Sequence, residues 1–312
     1  MGARISFTNH IHIAEKSFDN GLLRYIGYKD ITPEMMEEIA RDSRIQRVQI
    51  DRELPEEAYE AIDRILERRP DLYFRIFSIG TTCEKFDLSV LGQMPHLSKV
   101  WLEAYLRYDK NALNMEYLCE LPALKGLHLD LFDCRDYRFV NQLSHNLEEL
   151  ILYADTMGAG IQFDCEWLLQ YGKLKSLFLG KKARKNLESI SRMTQLQSLS
   201  LRGIKAEDFA FLKDLSLETF RLLWCGNSDL SALGGLESLR ELELWRIMKL
   251  ENLDFLCSLK NLEILKLQDL KHIKTLPDLC HLKKLKRIYL DNVPVNLDSL
   301  DESVRNLVHR GY

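Results

Sequence analysis

A chain of 312 residues in which 43 Lys and Arg face 47 Asp and Glu, with 29% charged residues and a formal charge of −4, has an ordinary globular surface and not a polyanion-binding one. Nucleic acid is therefore not expected as a partner. No stretch approaches the ~18 apolar residues of a membrane span, and the opening Met1-Gly-Ala-Arg-Ile-Ser6 lacks an apolar run of signal-peptide length, so neither spanning nor secretion is expected.

In chain order, an early strand around Ile5 or Ile11 is expected to form an N-terminal cap. A strand-like Leu22–Tyr28 follows, then a helix opened by Thr32-Pro33 and running to Arg41, then a strand over Ile45–Ile50. Pro55 starts a second helix with Ala58, Ile62, Ile65 and Leu66 on one stripe, and Pro70 stops it before the apolar run Leu72–Phe77. From Leu97 a Leu-x-x-Leu-x-Leu signature becomes explicit. It starts at Leu97, Leu124, Leu147, Leu174, Leu196, Leu217, Leu239, Leu262 and Leu285, at intervals of 27, 23, 27, 22, 21, 22, 23 and 23 residues. In Leu262-Glu-Ile-Leu-Lys-Leu267, Leu265 and Leu267 alternate with polar positions, which predicts a strand with one buried face. The return half, Leu270, Ile273, Leu276, Leu279 and Leu282, is apolar every third residue and fits short 3₁₀ turns. The 27-residue intervals have room for a helix, as over Asp164–Tyr171. After Leu290, Pro294 breaks the pattern and Leu297–Val308 reads as a capping helix.

This signature resembles the leucine-rich repeat family, and its later, shorter units look most like the 22-residue bacterial type of the internalins. The resemblance implies an α/β solenoid in the form of a curved horseshoe, with a parallel sheet on its concave face and helices and 3₁₀ turns on its convex face. It implies one domain over 1–312: degenerate helical repeats and an N-terminal cap over 1–96, nine clear repeats over 97–293, and a C-terminal cap over 294–312. The family favours Asn or Cys three residues after the third leucine, where this chain has Tyr105, Phe132, Asp155, Lys182, Ile204, Cys225, Ile247, Leu270 and Val293. An apolar row is thus expected to replace the asparagine ladder in the last five units.

Seven scattered cysteines without a Cys-x-x-Cys pair predict reduced thiols and a cytoplasmic address. Cys257 and Cys280 fall on adjacent rungs and are expected as small core residues. Met1-Gly2 to Ser6 also matches the short myristoylation pattern.

Function is expected on the outward positions of the strands, where the solenoid does not need rings. Trp101, Glu103, His128, Asp130, Ile151, Tyr153 and Phe178 make an aromatic region with acids beside it, and Arg202, Arg221, Trp245, Arg246, Lys266 and Tyr289 continue the row with a basic bias. The reading is a non-catalytic scaffold binding a partner protein, with no cofactor. Family analogy extends it to a bacterial regulator, effector or immunity-type inhibitor. One alternative centres a metal-dependent or hydrolytic activity on His128, Asp130 and Glu103, with His10-Ile-His12 as a second imidazole pair. Another makes the chain a subunit of a larger assembly that uses convex helices near Ala58 and Trp167. Phosphate-binding glycine loops and hydrolase or kinase signatures do not occur in the sequence.

Overall fold

The computed structural model describes residues 9–21, 24–81, 83–158 and 160–311. The myristoylation pattern, Ile5 and the first residues of the Leu22–Tyr28 segment lie outside these. The chain divides into two compact units, Met1–Gln162 and Phe163–Tyr312.

The first unit is a sheet of eight strands among the described residues. They are β1 (His10–Ala14), β2 (Phe18–Asp19), β3 (Arg24–Gly27), β4 (Arg47–Ile50), β5 (Tyr73–Ile79), β6 (Lys99–Tyr105), β7 (Gly126–Phe132) and β8 (Glu149–Tyr153). Their spatial order is β8-β7-β6-β5-β4-β1-β3-β2. All pairs are parallel except β2 with β3, where Phe18 faces Tyr25 and Asp19 faces Arg24. The strand at Ile11 is therefore no cap: β1 lies between β3 and β4, and the short antiparallel β2 ends the order.

Two helices return the chain in this unit. In α1 (Pro33–Arg41) Pro33 occupies the first turn, where its missing N–H has no intrahelical partner to lose, and the Thr32 side chain accepts from the Met35 N–H at 3.2 Å. In α2 (Glu56–Arg68) Ala58, Ile62, Ile65 and Leu66 are all buried, as their spacing requires. Arg69 joins the two helices, donating to the carbonyls of Ile39, Asp42 and Ile45 at 2.9–3.0 Å.

The second unit holds seven strands: β9 (Ser176–Gly180), β10 (Ser198–Arg202), β11 (Thr219–Leu223), β12 (Glu241–Trp245), β13 (Ile264–Gln268), β14 (Arg287–Asp291) and β15 (Val308–Arg310), in sequence order and parallel throughout. Across both units the nine repeat strands β6 to β14 each begin two residues after the first leucine of the signature. The second and third signature positions of every copy, leucine except for Val100, Phe220 and Ile288, are buried under the sheet. Burying each contributes ~1.5–3 kcal/mol, and that energy holds the rungs together.

From Leu88 to Ser258 the return segments are 3₁₀ and not α-helical, whereas the Leu270–Leu282 segment, expected as short 3₁₀ turns, connects β13 to β14 by isolated turns without a 3₁₀ helix. Over Asp164–Tyr171 a 3₁₀ helix, Cys165–Gln170, replaces the expected helix. The extra length of that interval is taken up before it, where Gln162 donates to the Arg135 carbonyl at 2.7 Å and pairs with Asp136 in an isolated bridge. The expected capping helix over Leu297–Val308 is also replaced. A 3₁₀ turn (Leu297–Ser299) and one turn of helix, α3 (Glu302–Arg305), bring Val308 onto Ile288 as part of β15. The Asp301 side chain restarts the chain there by capping the Ser303 N–H at 2.8 Å, and pairing with β14 satisfies backbone groups that a helix would have left to water.

Seven of the nine repeat rungs end in a recurrent backbone device. Asp133, Lys181, Gly203, Trp224, Arg246, Asp269 and Asn292 directly follow their strands and have φ between +41° and +64°. The left-handed turn aims their N–H groups along the sheet. Lys181, Gly203, Trp224, Arg246 and Asp269 each donate to the last strand residue of the next rung, at 2.6–3.0 Å, and Asp133 donates to the Asp155 carbonyl just past the end of β8 at 2.8 Å. Below that row the apolar positions expected in place of asparagine pack inward at Ile204, Cys225, Ile247 and Leu270, whereas Val293 is only half-buried.

All seven cysteines are free thiols. Cys134, Cys165 and Cys225 are buried, but Cys257 and Cys280, expected in the core, are half-exposed. Cys257 Sγ lies 3.6 Å from the Asp278 carbonyl, and Cys280 Sγ lies 3.8 Å from Ser303 Oγ. No helix among the described residues is long and apolar enough to cross a membrane.

Candidate functional site

On the first unit the ladder register places His12, Gln49, Arg75, Trp101, His128 and Ile151 side by side on the sheet face opposite the leucines. Trp101 is its centre. Its ring stacks on His128 at 4.0 Å and 10°, and Tyr73 meets it edge-on at 6.4 Å. The guanidinium carbons of Arg75 and Arg47 lie 4.5 Å and 5.0 Å from the indole centroid, within cation–π range. His128 continues the stack toward Tyr153 at 5.6 Å. The expected aromatic region therefore exists, but its rings pack against each other and are half-buried, not freely accessible.

The electrostatics differ from the acidic patch expected here. Arg75 pairs with Glu103 and donates to Gln49 Oε1 at 3.0 Å, so Glu103 is already neutralised. Tyr73 donates to Glu149 Oε2 at 2.7 Å, and burial together with that carboxylate pushes its phenol pKa far up. His128 is only 9% exposed; burial, then Arg75 and Arg47, push its pKa down to about 3. His12 is likewise buried against the Tyr25 ring at 3.9 Å, and burial, opposed by Asp51, lowers it to about 4. His10 and His12 therefore share a face without sharing a ligand geometry. Among the described residues no group of three His, Cys, Asp or Glu side chains is arranged to hold a metal ion. A general base at His128 would also need proton affinity that its burial removes. Asp130 stands one row on, beside Glu103 and Tyr153.

On the second unit Phe178, Ser200, Arg221, Glu243, Lys266 and Tyr289 are aligned by register. The expected basic bias is offset by acids. Arg221 lies 3.3 Å from both Glu241 and Glu243, and Lys266 lies 2.8 Å from Glu241. Burial alone would raise the Glu241 pKa, but Lys266 and Arg221 outweigh it and hold the carboxyl below its usual range. One row on, Trp245 donates from Nε1 to Asp269 at 2.9 Å and meets Trp224 edge-on at 5.6 Å. Arg246 and Arg202 lie 4.6 Å and 5.4 Å from the Trp224 ring.

Trp224, Arg47 and Arg75 were not legible as site residues. Trp224 follows its strand and so falls outside the alternating outward positions, yet it is 42% exposed and is the most accessible tryptophan ring on this face. Arg47 and Arg75 sit on strands without the leucine signature; Arg75, between buried Phe74 and Ile76, could have been found by extending the alternation upstream. On the return segments Ala58 is fully buried on the apolar stripe of α2, and Trp167 packs edge-on against Phe163 at 5.9 Å. A cleft of about 610 Å³ beside Leu106, Leu113, Cys134 and Phe139 has its arginines, Arg135 and Arg138, already paired with Asp133 and Asp136.

No family model matches the chain, and no curated protein matches it in sequence. Among solved structures, an internalin C2 from Listeria monocytogenes is 19% identical over 63% of this chain and 74% of that chain, with a TM-score of 0.38. An internalin InlF from the same organism is 16% identical over 84% and 77%, with a TM-score of 0.42. The functional domain of InlJ, also from that organism and said to include a cysteine ladder, is 15% identical over 85% of this chain and 57% of that chain, at 0.47. This chain thus spans less than two thirds of the InlJ chain. At such identities and TM-scores the likenesses assign nothing to this chain, and what its own structure shows in each unit is a largely parallel ladder of strands lined on one face by leucines.

Proposed function

We propose that the protein is a non-catalytic scaffold that binds a partner protein through the solvent face of its parallel sheet, from the cytoplasm. Trp224 carries this reading. A bulky side chain in a left-handed backbone costs ~1–2 kcal/mol, and a half-exposed ring recovers little of that by burial. Strain kept at an exposed aromatic residue flanked by two arginines fits recognition better than stability, because rigid rings and Arg dominate interface energetics. The remaining contact candidates are Trp101, Glu103, His128, Asp130, Ile151, Tyr153, Phe178, Arg202, Arg221, Trp245, Arg246, Lys266 and Tyr289. Seven free thiols support the reducing address. A bacterial regulator, effector or immunity-type inhibitor is the role this scaffold suits.

The test is affinity capture from native cells, quantified by mass spectrometry, with wild-type chain, Trp224→Ala and Trp167→Ala. A partner retained by the wild type and by Trp167→Ala, but weakened by ~2 kcal/mol or more with Trp224→Ala at unchanged melting temperature, is the expected result. Loss with Trp167→Ala alone would move the interface to the return segments.

A further inference from the structure

The Trp101 cluster contains a chemical deficit that packing does not explain. Arg47 Nε, Arg75 Nε, Trp101 Nε1 and His128 Nε2 are all buried and have no hydrogen-bond partner among the described residues. These atoms belong to four adjacent strands, β4 to β7, and to side chains already in mutual contact: the two guanidiniums within 5.0 Å of the indole centroid, and the imidazole stacked on it. Leaving one buried donor unsatisfied costs ~1–3 kcal/mol, so four around one ring are expensive unless an acceptor completes them. Three of the four are obligate donors, since arginine and tryptophan nitrogens cannot accept.

Charge narrows the choice of acceptor. Arg75 has the Glu103 carboxylate as its ionic partner, whereas Arg47 donates to the uncharged Asn9 side-chain oxygen at 3.4 Å. Two guanidiniums against one touching carboxylate leave one positive charge, which a monoanion matches and a phosphate dianion would exceed. A planar carboxylate also suits the guanidinium fork.

We propose that Arg47, Arg75, Trp101 and His128 form a subsite for a single carboxylate, an Asp or Glu side chain or a chain terminus of the partner polypeptide. The subsite rests on the protein-binding reading of this face and deepens it. Trp101 Nε1 and the guanidinium Nε–H groups donate to the carboxylate oxygens, and the neutral His128 ring places its one proton on Nε2. Burial, and after it the two guanidiniums, keeps His128 neutral, as this arrangement requires.

The test needs no partner. Sodium acetate, and separately inorganic phosphate, are titrated into the full chain at constant ionic strength set with sodium chloride, and the indole and guanidinium N–H signals are followed by NMR. The expected result is saturable movement of the Trp101 indole and the Arg47 and Arg75 Nε–H signals with acetate, while the indoles of Trp167, Trp224 and Trp245 stay in place. Trp101→Phe, which keeps a stacking ring but removes the donor, and Arg47→Gln should each weaken acetate binding roughly tenfold, the usual value of a charge-assisted hydrogen bond. Equal movement with chloride alone, a response that does not saturate, or unchanged affinity in both variants would overturn the subsite, and tighter binding of phosphate would overturn the carboxylate assignment. Acetate binding as expected, with partner capture indifferent to Trp224→Ala, would count against the protein-binding reading alone. Capture lost in that variant with no acetate response would count against the subsite alone.

Discussion

Leu265 and Lys266 are neighbours on β13 with opposite surroundings. Leu265 is fully buried, so Leu265→Ala should cost ~2–5 kcal/mol in chemical denaturation, the sum of lost transfer energy and cavity. Lys266 reaches only Glu241, which keeps Arg221 as a second partner, and Lys266→Ala should cost under ~0.5 kcal/mol. His128 gives a pH signature. Its pKa is about 3 in the folded chain, below the unfolded value, so the unfolded state binds the extra proton between the two. Its contribution is present above about pH 6.5 and is lost as pH falls toward 3. Between about pH 6.5 and 4.5 the wild type should lose roughly 2 kcal/mol more than His128→Phe, which keeps the stack but cannot titrate; parallel stability curves would show that His128 is not buried as described. His96 acts with the opposite sign. Its bond to Asp63 raises its pKa, so the stabilisation it gives is present at low pH and lost as pH rises through that raised value.

At the scale of the element, the left-handed residue that follows seven of the nine repeat strands sets which side chains those rungs can tolerate. Glycine, asparagine and aspartate accept that conformation readily, and Gly203, Asn292, Asp133 and Asp269 are of these types. Lys181, Trp224 and Arg246 are not. Lys181→Asn should therefore raise stability by ~0.5–1 kcal/mol, whereas Gly203→Ala should lower it by ~1–2 kcal/mol through backbone strain and a Cβ placed 3.3 Å from Lys181 Cγ. Paired denaturation midpoints that move in the reverse directions would refute the role given to this turn. The leucine spacing located every repeat strand because burial enforces it. It could not reveal this turn, since the hydrogen bond that fixes it uses backbone atoms and leaves no residue signature at Lys181 or Trp224.

At the scale of the whole molecule, each rung is stabilised by its neighbours, so the pattern that repeats is legible and the places where it stops are not. The two N-terminal helices were readable from Thr32-Pro33, Pro55 and their apolar stripes. The chain ends were not: whether residues 297–310 finish as a helix or a strand is decided by the open edge of β14, a tertiary demand. The site divides in the same way. Trp101, His128 and Tyr153 could be placed by counting from the leucines, but their mutual stacking and the two guanidiniums above them depend on strands that lack the signature.

The brevity of β2 has a consequence for behaviour in solution. A parallel ladder is an open template, and whichever strand lies outermost offers unpaired backbone groups to any other chain. Here the last strand of the first unit's order is two residues long, runs against the others, and carries Asp19 beside Arg24. Among the described residues, a ladder that grows by adding like to like is thus bounded at this edge by a piece unlike the rest, too short and too charged to extend readily. Replacing Phe18 and Asp19 by prolines, which would detach β2 from β3, should leave the inner rungs folded but turn a dispersed protein into one that associates edge to edge, seen as concentration-dependent growth in light scattering.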